Sequence, residues 1–190
     1  MREKLTRRRL LLGTGTVAAG TLGGIALGSQ NAMATIDGDF TIPNAQTVLA
    51  DTELGDIRLS VNAKWEYSAN ARMNTVEIEL HVGGSPDTLD LIARHVKDDL
   101  GEQSLTGETE LNGSLMSTSD FGVSDFNPDS GRVTQTVVAE LRFYVLRDGE
   151  VAAEALQRTT FDITVSAEEL SVEMTMNATG KVEFTTATSN

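Results

Sequence analysis

Three aspartates in one polar stretch, Asp120, Asp125 and Asp129, carry the most concentrated chemistry in this sequence. In Asp125-Phe126-Asn127-Pro128-Asp129-Ser130-Gly131 the oxygen-bearing side chains fall at alternate positions, which suits a hard cation such as calcium. It is not an EF-hand loop, because the glycine expected at the sixth position is absent, Pro128 stands at the fourth, and Thr136 occupies the place of the bidentate Glu. A looser calcium site from Asp120, Asp125 and Asp129 is the one cofactor these residues point to. The plainer reading of Asn-Pro-Asp-Ser-Gly is a turn, with Phe121 and Phe126 pinning the loop to the core.

Other reactive residues are sparse. His81 and His95 have no cysteine to join, and no local spacing brings carboxylates to them, so both read as exposed structural histidines rather than zinc ligands. Acid pairs such as Asp98-Asp99 and Glu108 with Glu110 have the types needed for glycosidase-like acid/base work. In a chain this rich in carboxylates such pairs arise by chance. No nucleophile elbow, His-Glu-x-x-His or phosphate loop is found, and the reading leans away from an enzyme. Asn112-Gly113-Ser114 and Asn177-Ala178-Thr179 match the glycosylation pattern and fall in expected turns, making Asn112 and Asn177 acceptor candidates in an exported protein.

The elements that must carry these residues follow a period of two. From Ile57 to Tyr67 the odd positions are apolar or aromatic and the even ones are Arg58, Ser60, Asn62, Lys64 and Glu66, predicting a strand with one wet and one buried face. Trp65 and Tyr67 share the buried face, so they read as core rather than as a carbohydrate platform. Ser68 to Arg72 is expected to turn the chain. Val76, Ile78, Leu80 and Val82 mark a second strand. Val133 to Val145 marks a third, with Glu140 and Arg142 on its opposite face. Asp148-Gly149 signals a tight turn, followed by strands from Val151 and through Phe161, Ile163 and Val165. Val172, Met174 and Met176 are expected to pair with Val182 and Phe184, and shorter strands are expected near Phe40–Ile42, Val48–Ala50 and Thr109–Met116. Leu89, Ile92, Ala93 and Val96 fit a short helix after Ser85-Pro86-Asp87 as well as they fit a strand, so 86–97 is open between the two. About seven to nine such strands predict an all-β chain forming a single β-sandwich, immunoglobulin-like or jelly-roll.

The charge balance is 15 Lys+Arg against 28 Asp+Glu, a net of -13. Residues 1–34 hold five basic residues and one acid, leaving the other 156 with 10 basic and 27 acidic groups. That excludes a nucleic-acid binder, which needs clustered Lys and Arg. With no cysteine in the chain, disulfides, thiolate metal sites and cysteine nucleophiles are also excluded.

Residues 1–34 read as an address, and 35–190 as the domain. Thr6-Arg7-Arg8-Arg9-Leu10-Leu11-Leu12 resembles the twin-arginine export motif, with Arg7 and Arg8 as its pair. An apolar run diluted by Gly and Thr follows, ending at Ala32-Met33-Ala34, a small-x-small pattern that sets cleavage after Ala34 and a mature start at Thr35. If the segment is not cut, it is also the chain's only contact with a membrane. Twin-arginine export carries proteins already folded, which is what this resemblance implies here. Dense acids with only three lysines after residue 34 (Lys64, Lys97, Lys181) resemble the surfaces of exported haloarchaeal proteins, in which carboxylates hold hydration at multimolar salt.

Three roles follow in order of expectation. The first is an exported cell-surface or secreted binding module that contacts an envelope polymer or surface protein. The second is a structural fibre or envelope subunit that self-associates by strand addition through residues 35–51, since Phe40-Thr41-Ile42 and Val48-Leu49 precede the first long strand. The third is a small secreted hydrolase.

Overall fold

Alternating patterning becomes β-structure along most of the described residues. The structure, a computed structural model, describes residues 25–28, 32–49, 53–128, 131–167 and 180–187, with side chains over 32–49, 54–128 and 131–167. These residues form β1 (Ile25–Gly28), β2 (Ala32–Ile36), β3 (Ala45–Val48), β4 (Glu53–Met73), β5 (Thr75–Gly83), β6 (Asp90–Lys97), β7 (Glu102–Ser114), β8 (Arg132–Arg147), β9 (Glu150–Ser166) and β10 (Gly180–Ala187). The described residues are all-β, in two sheets.

In one sheet β9, β8, β5 and β6 are neighbours in that order. The far side of β9 is shared by two short strands, β1 antiparallel against Ala153–Leu156 and β3 parallel against Ile163–Ser166. In the other sheet the 21-residue β4 is the spine. β7 lies along one side of β4, while β10 and β2 follow one another along its other side.

Both sheets point one set of side chains into a common core. Ile57, Leu59, Val61, Ala63, Trp65 and Tyr67 enter from β4, opposed by Val76, Ile78, Leu80 and Val82 of β5 and by Val137, Ala139, Leu141, Phe143 and Val145 of β8. Burying each larger side chain stabilises the fold by about 1.5–3 kcal/mol, so this alternation is the main reason the strands keep their register. The layers meet at Trp65 and Phe143, whose ring centroids are 5.2 Å apart. The buried indole N–H of Trp65 donates to Thr109 Oγ1 at 3.0 Å, which removes the cost of burying it.

Asp148-Gly149 turns the chain as its sequence predicts. Both residues have positive φ, 54° and 82°, and Arg147 pairs directly with Glu150, the geometry whose twist matches that of two flanking strands. One expectation needs correction, and one open choice falls to the strand. Ser68 to Arg72 does not turn the chain, because β4 continues to Met73, which pairs with Glu102, and the reversal falls at Asn74. No helix forms over 86–97. Ser85 to Thr88 is a turn closed by the Thr88 N–H on the Ser85 carbonyl, and β6 follows as an edge strand. An edge strand exposes most of its side chains, so its thin apolar pattern mimics an amphipathic helix. The hairpin expected from Val172 to Met176 lies outside the described residues. Val182 and Phe184 are in β10, where their backbones lie opposite Leu59 and Ile57.

Candidate functional site

The β5–β6 and β7–β8 connections come together at one end of the molecule. The first, 84–89, is short and exposed. The second, 115–131, contains two single 3-10 turns, Leu115–Ser117 and Val123–Phe126. Phe126 is fully buried and Phe121 packs against it in a tilted contact with ring centroids 5.6 Å apart, so the long connection is pinned from beneath as the sequence suggests. Asn127 holds it laterally, its Oδ1 accepting the Leu54 N–H at 2.8 Å.

Two carboxylates tie the connections to each other. Asp90, at the start of β6, accepts the backbone N–H of Ser119 at 2.6 Å and the Ser119 hydroxyl at 2.7 Å. Those two bonds hold its carboxyl below the usual carboxylate range. Asp120 reaches the other way, accepting the Gly84 N–H at 2.8 Å and the Thr88 hydroxyl. Asp125 closes a local turn by accepting the Gly122 N–H at 2.7 Å. The aspartates singled out for calcium, Asp120 and Asp125, thus each spend a carboxylate oxygen on backbone, while Asp129 lies outside the described residues. Among the described residues no group of three His, Cys, Asp or Glu gathers as metal ligands would. The local arrangement fixes loop shape: Pro86, Asp87, Val123 and Ser124 stand exposed on a braced surface.

A second concentration of charge crosses the outer side of the β9-containing sheet. Register places His81 opposite Glu140 and Glu140 opposite Arg158, with Glu79 opposite both Arg94 and Arg142. Glu140 is fully buried, receiving Arg142 Nε at 2.6 Å and Arg158 Nε at 2.8 Å. Burial alone would lower the Arg142 pKa, but the bonds and charges of Glu140 and, after it, Tyr144 together raise it. At the outer edge Arg94 pairs with Glu77, and that bond holds the Glu77 carboxyl below its ordinary range. His81, expected to be exposed, is buried and donates from Nε2 to Glu79 at 2.8 Å. The correction follows from its place on an inner strand of the sheet, flanked by long side chains. His95 is exposed on edge strand β6. Sequence reasoning placed Glu140 and Arg142 together on the face away from the core but missed Arg158, whose contact depends on the β8–β9 register.

Of the remaining candidates, Asn112 is exposed but lies in β7 rather than in a turn, with its amide donating to Glu110 at 3.2 Å. Asn177, Arg7 and Arg8 lie outside the described residues. Ala32 and Ala34 are buried in β2, opposite Ala69 and Tyr67 of β4. No family model and no curated protein matches this chain.

Proposed function

We propose that this protein is an exported, salt-adapted binding module of the cell surface or the surrounding medium, a β-sandwich of immunoglobulin-like or jelly-roll type whose braced loops contact an envelope polymer or surface protein. The observation that carries this reading is the pair of cross-ties at one end, Asp90 to Ser119 and Asp120 to Gly84 and Thr88. Loops on a rigid scaffold are the usual bearers of recognition, and bracing them beforehand lowers the ordering cost of binding. The export motif and the acid excess support the setting.

Co-sedimentation with isolated cell envelopes in multimolar salt tests it. The protein is expected to pellet with envelopes, and Val123→Glu, an exposed change at the loop end, is expected to reduce the pelleted fraction severalfold without altering the fold. Equal pelleting of both forms, or of neither, contradicts the assignment.

A second role, subunit assembly by strand addition through residues 35–51, draws support from β3. This four-residue strand completes the edge of β9 in parallel, reached by a crossing from β2 on the other sheet. Strand addition between copies works through short edge segments of this kind.

A further inference from the structure

The small-x-small pattern at Ala32-Met33-Ala34 has a different explanation in the fold. Burial alternates along β2, with Ala32, Ala34 and Ile36 inward and Met33 and Thr35 outward. The two alanines are thus core positions, set opposite Ala69 and Tyr67 of β4. We propose that β1 (Ile25–Gly28) and β2 (Ala32–Ile36) are permanent strands of the folded domain, and that any processing of the leader falls before Ile25. The inference rests on the export reading, in which the domain folds before it crosses the membrane.

The backbone between Ala34 and Thr35 is in the middle of a ladder. All five residues of β2 pair with β4, from Ala32 opposite Ala69 to Ile36 opposite Trp65. Ala34 is 1% exposed. Both flanks are tied as well. Downstream, the Asp37 N–H donates to the Lys64 carbonyl at 2.9 Å, and the buried Gln157 amide donates to the carbonyls of Ile36 and Gly38 at 3.2 and 2.7 Å. Phe40 and Ile42 then enter the core. Upstream, β1 pairs with β9 over four residues, Ile25 opposite Leu156 to Gly28 opposite Ala153.

A signal peptidase takes its substrate as an extended segment without other partners, so the cut after Ala34 requires β2 to be lifted from β4 while both flanks hold. Proteolysis of a folded chain then proceeds only through that opened state. The cut would also cost the domain β1 and three of the five β2 pairs. It would leave the backbone of Tyr67, Ser68 and Ala69 as a bare edge beside the core, a liability that native sheets avoid.

The test is mass spectrometry of the N-terminus of the full chain, expressed in a salt-adapted host with a twin-arginine pathway and recovered separately from cytoplasm, envelope and medium. An Arg7→Lys/Arg8→Lys form serves as the control that stays inside. Exported chains are expected to begin at or before Ile25, and so to yield a peptide carrying Met33, Ala34 and Thr35 intact. Exported chains that begin at Thr35, or anywhere from 26 to 34, overturn the inference while leaving the export reading intact. Wild-type chain confined to the cytoplasm overturns the export reading, and this inference with it.

Discussion

Glu140 is a carboxylate hidden on the outer side of a sheet, held by two arginines that are each about one-third exposed. Removing the carboxylate frees both guanidinium groups, yet each retains access to water, so the loss falls below that of a deeply buried pair. Glu140→Ala is expected to destabilise the domain by about 2 kcal/mol in a denaturant titration; a shift under about 0.5 kcal/mol would mean the row is ornamental. Glu77 makes a different prediction. Its carboxyl is held low chiefly by the Arg94 hydrogen bond, so in the folded state it stays ionised below its ordinary value of 4.5. A depressed carboxyl contributes stability above that value and loses it as pH falls through the folded one. The stability gap between wild type and Arg94→Ala should therefore be full at about pH 6 and close on acidification below 4.5. A gap independent of pH would show that Arg94 acts by packing alone. The residue types were visible in the sequence, but their pairing was not: Glu140 meets Arg158 eighteen positions away only through the β8–β9 register.

At the scale of elements, legibility followed burial. β4, β5 and β8 were readable because one face of each enters the core, and turn chemistry located the β8–β9 reversal. The edges were not. β6 has an apolar pattern that suits a helix as well as a strand, and the last residues of β4, Ala69 to Met73, lack strong β formers and shift register, yet are held at their ends by Ala32 of β2 opposite Ala69 and Glu102 of β7 opposite Met73. Tertiary pairing overrides weak local preference in such places. Gly107 is another case. It lies opposite Trp65 on β7, and a Cβ there would collide with the indole ring. Gly107→Ala is expected to cost about 1–3 kcal/mol through overpacking, with a change in the near-ultraviolet signal of the single tryptophan. An unchanged melting midpoint would mean that the ring moves aside freely.

At the scale of the whole molecule, the net charge of -13 sets the solution behaviour. Self-repulsion among the acids weakens the compact state at low salt and is screened at high salt. The melting temperature is expected to rise by more than about 10 °C between about 0.2 M and about 3 M KCl. A flat response would remove the salt-adapted part of the proposal.

β1, β2 and β3 pair within their own chain, as a self-contained module with braced loops requires and a subunit that shares strands does not. Register sets Gln46 of β3 beside Thr164 of β9, and the chain has no native cysteine to confuse a disulfide. The most direct measurement is the size, on a non-reducing gel, of a Gln46→Cys/Thr164→Cys form oxidised in multimolar salt. A cross-linked monomer that runs faster than its reduced form is expected at every protein concentration. A ladder of covalent oligomers that reduction collapses would contradict it, and would make the fibre itself the function.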